Sequence, residues 1–387
     1  MVLFLHNRYR TTGGEERVVE DLLALVRERL GEDVELLGRD SARLGQGRAA
    51  AALLRGGLEP EEVARAVRLT GARVVHAHNL NPTLGWRALA AARAAGARVV
   101  LHLHQYRMVC AIGVCFTRGA ECTRCHGRNT LPGVRLNCRG SVGEAVAYGA
   151  SLALWQRRLA EQADAVIVPS AFARERLREL GAPLEWERVH VLAPPVREPD
   201  AGTATGSPPA GTPIARGSAS AANGGYGLVV SRLAPEKGID VAIDACRIAG
   251  VPLVVAGDGP ERQVLQERAG DGEVRFVGHV DDATLAELRA GAAIALAPSR
   301  SAETFGLAAA EAMAAGLPVA GSRVGALGEL LDEQGLVPPG DVDALARAIA
   351  RLAGDRAAGE RGLERVRALC APDVVAASLA SIYDAAT

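Results

Sequence analysis

Short apolar runs alternate with longer amphipathic stretches along this chain, and that alternation constrains its fold more than any other feature. Runs rich in Val, Ile and Leu occupy 2–6, 73–77, 98–103, 165–168 and 189–192, with helical patterns such as 15–30 and 82–95 beside them. A short continuous apolar run suits a strand buried on both faces, and helices between such runs imply parallel crossovers. The pattern resumes at 228–230, 253–256, 274–277, 293–297 and 318–320. Two doubly wound α/β domains follow, over 1–196 and 226–370.

Between them, 197–225 holds Gly, Pro, Ser, Thr and Ala with almost nothing larger than Val or Ile. Such a stretch buries too little surface to offset its ordering entropy, which predicts a flexible linker. Ala371-Pro372 interrupts the helical pattern before it. Beyond it, Val374, Val375, Leu379, Ile382 and Tyr383 recur at helical spacing, so 371–387 is expected to form one more helix packed back on the first domain.

Composition narrows the function classes. Apolar residues make up 49% and charged residues 23%, a globular balance, and a net charge of −1 argues against a nucleic-acid partner. No apolar run approaches the ~20 residues of a membrane span. The opening Met1 to His6 has no basic start and no cleavage signal, so it reads as a first strand, and the chain as cytoplasmic.

In open α/β sheets ligands bind beyond the carboxyl ends of the strands, so those loops carry the candidates. The stretch from Ser299 to Gly316 follows one apolar run and opens into an Ala-rich helix, with Glu303 in the loop and Glu311 eight residues on. A helix start near Phe305 would present free N–H groups between the two carboxylates. That layout suits sugar hydroxyls, a diphosphate and a ribose in turn; the plainer reading is a dipole-stabilising carboxylate and a surface one. The loop Ser231 to Gly238 holds Arg232 and Lys237, and Lys237 is the only lysine beside 43 arginines. A lysine offers a compact point charge where an arginine offers a planar fork, and the two suit one phosphate pair. Gly13 and Gly14 precede a helix and would let backbone approach a phosphate, although G-x-G-x-x-G is absent. His102 and His104 share a face by alternation; His102 reads as structural and His104 as acceptor-binding.

The stretch from Ser299 to Pro318, with its E-x7-E pair at Glu303 and Glu311, resembles the signature of retaining glycosyltransferases of family 4 (group 1). The S-R-L-x-P-E-K-G loop at 231–238, V-A-G-D-G-P at 255–260, Phe276 to Val280, the Gly13-Gly14 loop and Ser170-Ala-Phe are similar to that family too. The resemblance implies a GT-B fold, two Rossmann-like domains facing a cleft, with the donor held mainly by the second. It implies that Glu303 meets donor sugar hydroxyls and Glu311 the ribose, while Arg232 and Lys237 hold the diphosphate with Gly14 approaching it. Thr304, Phe305, Gly306 and Leu307 would line the phosphates, and Gly278, His279 and Val280 the base. His104 matches the family's residue near the reacting carbon. The implied reaction is a retaining transfer from a nucleotide-diphosphate sugar to an acceptor, without a catalytic metal, in cell-surface polysaccharide or glycolipid synthesis. A nucleotide-sugar epimerase and a non-catalytic nucleotide-sugar binder remain alternatives on the same scaffold.

Five of seven cysteines crowd into 29 residues: Cys110, Cys115, Cys122, Cys125 and Cys138. Cys122-x2-Cys125 has knuckle spacing, and two more thiolates would close a structural zinc site, which is weighed against unliganded thiols and disulfides. A similar cysteine-bearing insertion in some members of the resembled family implies Cys110, Cys122, Cys125 and Cys138 as the ligand set. His126 is a substitute ligand and Cys115 is surplus. The apolar stretch 142–159 reads as a core helix or as a peripheral contact with a membrane surface.

Overall fold

The computed structural model describes residues 1–8, 13–41, 44–197 and 225–385. The expected linker therefore lies almost wholly outside the described residues, as do Thr11 and Thr12 of the first loop. The chain divides into two compact units. The first contains Met1–Thr117, Cys122–Pro195 and the chain from Pro372 on; the second contains Arg118–Glu121 and Val196–Ala371.

The strands up to residue 195 are β1 (Val2–Arg8), β2 (Val34–Asp40), β3 (Val74–Ala77), β4 (Arg98–His102), the two-residue strands β5 (Phe116–Thr117) and β6 (Ala120–Glu121), which pair with each other, β7 (Ala165–Val168) and β8 (Val189–Val191). Six of them form one sheet in the order β2-β1-β3-β4-β7-β8, and every pairing is parallel. The second unit contributes β9 (Tyr226–Val230), β10 (Leu253–Ala256), β11 (Val274–Gly278), β12 (Ala292–Ala297), β13 (Val319–Ser322) and β14 (Leu336–Val337). They form a parallel sheet in the order β11-β10-β9-β12-β13-β14.

The central strands form because both of their faces are covered. Leu228, Val229, Val255, Ile294 and Leu296 are each at most 6% exposed, and burying a side chain of that size stabilises by roughly 1.5–3 kcal/mol. The edge strand β2 escaped the run-based reading because its Val-Glu-Leu-Leu-Gly-Arg-Asp buries only Val34 fully.

In both sheets the order reverses once, between β1 and β3 in the first and between β9 and β12 in the second. A crevice opens at such a switch point beyond the carboxyl ends of the strands, because the loops on its two sides run to opposite faces. The fold thus singles out the loops after β1, β3, β9 and β12.

The last helix, Pro372–Ala385, packs on the helix Gly14–Arg29 in the first unit and buries Val375, Leu379, Ile382 and Tyr383. Together with the helix Arg356–Cys370 it makes a stretch, 356–385, that is long and apolar enough by composition to cross a membrane. Here the stretch is two helices meeting at Ala371.

Candidate functional site

The second unit gathers its candidates around the switch point. After β9 the chain turns through a short helical turn, Pro235–Lys237, and Gly238 in the left-handed region (φ 62°). A Cβ at Gly238 would lie 2.1 Å from the Pro298 carbonyl oxygen, so only glycine lets this loop lie against the loop after β12. The two loops are tied by backbone: Arg300 and Ser301 N–H groups donate to the Glu236 carbonyl at 2.8 and 3.3 Å. Arg300 adds a two-pronged pair with Asp240 at 2.7 and 2.6 Å.

That docking brings Lys237 and Glu303 together. Lys237 Nζ donates to Glu303 Oε1 at 2.7 Å, and Ser299 Oγ donates to the same oxygen at 2.5 Å. The side chains are 27% and 18% exposed, so the pair is shielded yet reachable. Burial works against charge on Glu303, but the Lys237 ammonium and the two hydrogen bonds outweigh it and hold the carboxyl below its ordinary range. Arg232 is turned onto Glu236, a buried carboxylate four residues on.

Glu303 stays outside the helix that follows. That helix is Leu307–Ala314, capped by Gly306 at φ 96°, so it starts two residues later than the expected start near Phe305. A Cβ on Gly306 would meet Leu327 at 2.6 Å. Phe305 is buried and Thr304 lies beside it in the loop. Glu311, on the helix, is ion-paired with Arg289, and both side chains are nearly buried. At the carboxyl end of β11, Gly278 adopts φ 74°, His279 is exposed and Val280 is half-buried. The Gly257 N–H donates to the Gly278 carbonyl at 2.7 Å, joining the V-A-G-D-G-P turn to that loop.

In the first unit, Gly13 has an ordinary extended conformation (φ −145°), and its N–H donates to Glu16 Oε2 at 2.9 Å. The anion position at this helix start is thus taken by the chain's own carboxylate. Histidines fill one face of the sheet across β3 and β4. His76 Nε2 lies 3.2 Å from His102 Nδ1, and His78 Nδ1 lies 2.9 Å from His104 Nε2. Tyr383, from the last helix, places its hydroxyl 2.7 Å from His76 Nδ1. Alternation puts His102 and His104 on one face, and their rings stack 4.2 Å apart. Burial holds all four neutral, pushing His76 down to about 3 and the others below their ordinary value. His76 and His78 were invisible to motif reading, because their meeting with His102 and His104 depends on strand order.

All five clustered cysteines line one cavity of about 20 Å³. No cysteine among the described residues forms a disulfide, and a hydrogen bond with Cys115 lowers Cys110 to about 6, while burial lifts Cys125 to about 11. Among the described residues, the only three metal-ligating side chains whose donor atoms all lie within 4.8 Å of one another are His76, His78 and His102. The sulfurs therefore face a common space without closing into a tetrahedron. The helix Val142–Glu161 buries Ala145, Leu152 and Gln156 and leaves Val142, Val146 and Leu154 exposed.

Residues 13–195 match the model of a glycosyl transferase 4-like domain, and 225–355 match that of glycosyl transferases group 1. The chain belongs to the group 1 (family 4) glycosyltransferases, and its two parallel-sheet units have the GT-B fold. Curated relatives include a glycogen synthase of Mycobacterium tuberculosis, 38% identical over 41% of this chain and 42% of its own length. A phosphatidyl-myo-inositol mannosyltransferase of Mycobacterium leprae is 37% identical over 39% of this chain and 43% of its own. The chain thus matches about two fifths of the length of these relatives. Among solved structures, Anabaena HepE in complex with UDP aligns over 99% of this chain and 100% of its own, with TM-score 0.61 and 17% identity. Sucrose-phosphate synthase from Thermosynechococcus elongatus aligns over 99% of this chain and 98% of its own, with TM-score 0.68 and 21% identity.

Proposed function

We propose that this chain is a retaining glycosyltransferase that moves a sugar from a nucleotide-diphosphate donor to an acceptor hydroxyl, in polysaccharide or glycolipid synthesis. The observation that carries this reading is the Lys237–Glu303 pair at the switch point of the second sheet, 2.7 Å apart and partly shielded. In the reaction the bond between the anomeric carbon and the diphosphate oxygen breaks. The acceptor oxygen bonds that carbon, and its proton leaves with the diphosphate. Negative charge grows on the leaving oxygen, so a cation fixed beside it favours the transition state over the ground state.

Lys237 supplies that cation, with Arg232 swinging from Glu236 to the second phosphate. The N–H groups at Gly306 and Leu307 open the helix toward the phosphates. Glu303, freed from Lys237 by the incoming phosphate, accepts hydrogen bonds from sugar hydroxyls. Glu311 takes the ribose, and Gly278 to Val280 border the base. The relatives' names and the UDP held by HepE support a nucleotide-sugar donor. Incubation with UDP-, GDP-, ADP- and dTDP-sugars tests the reading: at least one is expected to be hydrolysed slowly to free sugar with retained configuration. An epimerised, intact nucleotide sugar makes the chain an epimerase, and binding without turnover makes it a sensor.

We also propose that Cys110, Cys122, Cys125 and Cys138 hold a structural zinc, the fifth thiol, Cys115, remaining outside the set. The support is the gathering of soft donors about one small cavity in a loop-rich segment. About one zinc per chain is expected in metal analysis of the purified protein. A small fraction of that overturns the assignment.

A further inference from the structure

Five thiols line one cavity in the segment between β4 and the helix Val142–Glu161, and a tetrahedral metal site uses four. The thiol left over, Cys115, is hydrogen-bonded to the Cys110 sulfur, so these two sulfurs already lie side by side. Cys125 and Cys138 turn to oxygen instead. Cys125 Sγ donates to the Thr130 carbonyl at 4.0 Å, and Cys138 Sγ donates to the Thr117 hydroxyl at 3.8 Å.

The chain around the pair holds it in this arrangement. Tyr106 N–H donates to the Gly113 carbonyl and Gly113 N–H to the Cys110 carbonyl, both at 3.0 Å, which closes a tight turn between the two cysteines. Cys122 N–H donates to the Cys115 carbonyl at 2.7 Å and ties down the far side. Backbone N–H groups of Ile112, Gly113 and Cys115 also donate to the Cys110 sulfur. Such donors favour a thiolate over a thiol, whether it ligates a metal or attacks as a nucleophile.

Exposure divides the roles. Cys110 is partly exposed, whereas Cys115 is 1% exposed. A dissolved disulfide can therefore reach Cys110 but not Cys115, while Cys115 is in contact with Cys110. That is the division between an attacking and a resolving thiol. The loop to be closed is short, so joining these two sulfurs costs less chain entropy than joining cysteines far apart in sequence.

We propose that Cys110 and Cys115 are a reversible redox pair, converted to an intrachain disulfide by exchange with a low-molecular-weight disulfide of the glutathione type. In the first step the Cys110 sulfur bonds one sulfur of the small disulfide, whose S–S bond breaks and releases one small thiolate. In the second the Cys115 sulfur bonds Cys110, the mixed disulfide breaks, and a second small thiolate leaves. Two protein thiols are oxidised, one small disulfide is reduced, and the two protein protons end on the two small thiols. The pairing rests on the sulfur geometry. Its consequence for metal rests on the zinc reading: Cys110 is one of the four ligands, so the disulfide removes it from the metal and releases the zinc.

The test holds the folded full chain in buffers of graded reduced-to-oxidised glutathione ratio, blocks the remaining thiols with an alkylating reagent and maps the peptides. The expected product is one disulfide per chain, Cys110 to Cys115, reversed by excess reduced glutathione. Cys246 and Cys370, buried in the second unit, stay reduced. Cys115→Ser is expected to stop at glutathione bound to Cys110, and Cys110→Ser to form neither product. Cys115→Ala reads the same step without placing a hydroxyl in a buried site. A first disulfide between any other pair overturns the proposal, as does a folded Cys115 variant that collects no glutathione on Cys110. Zinc, followed with a chromogenic chelator, is expected to appear in step with the disulfide, at about one per chain. A Cys110–Cys115 disulfide formed in a chain that carries no zinc overturns the zinc reading alone. Zinc that stays bound while both thiols remain reduced at every ratio overturns the redox pair alone.

Discussion

Lys237→Ala is expected to lower the rate of donor turnover by about two to three orders of magnitude, the usual cost of removing one fixed group that stabilises transition-state charge. The lysine sits in a turn that closes against the loop after β12, where Gly238 permits contact at a distance no other residue allows. Its ammonium already faces an anion, Glu303, at 2.7 Å. An incoming diphosphate replaces one anionic partner by another and needs no rearrangement of the backbone. Lys237→Arg keeps the charge but not its compact form, and it is expected to restore only a minor part of the activity. Without Lys237 the buried Glu303 carboxyl loses the charge that holds it ionised, so its pKa rises. The residual activity of the alanine variant should then fall at a higher pH on the acid side than the wild type's. Thermal melting distinguishes lost chemistry from lost fold, because the lysine is partly exposed and packs no core. Unchanged turnover in this variant removes the pair from the mechanism.

Acid is expected to unfold the first unit before the second. His76, His78 and His102 are buried and held neutral, His76 down to about 3. In the unfolded chain each takes a proton near its ordinary value of about 6.5. The unfolded state therefore binds more protons as the pH drops, and stability falls with it. The loss begins near pH 6.5 and grows by about 1.4 kcal/mol per pH unit for each histidine, reaching about 3 kcal/mol from His76 alone at pH 4.5. His78 and His102 add in the same sense, against a typical domain stability of about 5–15 kcal/mol. In the second unit the shielded groups perturbed in the acid range are carboxylates, Glu303 and Asp240, held below their ordinary range. Their contribution is complete above about pH 4.5 and is lost only as the pH falls through their lowered values. Tryptophan emission, which reports the first unit alone, should thus shift at a higher pH than the overall loss of helix by circular dichroism. Coincident transitions below pH 4, or a first unit that keeps its native emission there, would contradict the histidine account.

Strands buried on both faces were legible in the sequence, because Val2 to Leu5 or Val99 to Leu101 can serve no other purpose in a chain of this polarity. The edge strand β2 was not, since half of its side chains face out and no apolar run marks it. Glu303 and Lys237 sit in the loops that strand order selects, and their residue types announced them; Ser299, which donates to the same Glu303 oxygen, was not singled out. The partner of Glu311 did not: Arg289 lies 22 residues away on another helix, and only packing joins them. The helix start moved from Phe305 to Leu307 because Gly306 takes a left-handed conformation, a choice that composition permits without dictating. The histidine array is a further case. Alternation pairs His102, the last residue of β4, with His104 just beyond it, but His76 and His78 meet them only because β3 lies beside β4. The pocket beside the array, beyond the carboxyl ends of β3 and β4, combines residues from five separate segments, and no local pattern encodes it.

The most direct test of the central claim is the structure of the chain with a bound nucleoside diphosphate. The expected result is a diphosphate oxygen within hydrogen-bond distance of Lys237 Nζ, Arg232 released from Glu236, and phosphate against the N–H groups at Gly306 and Leu307. A diphosphate bound away from the loops after β9 and β12, with the Lys237–Glu303 pair undisturbed, would contradict it.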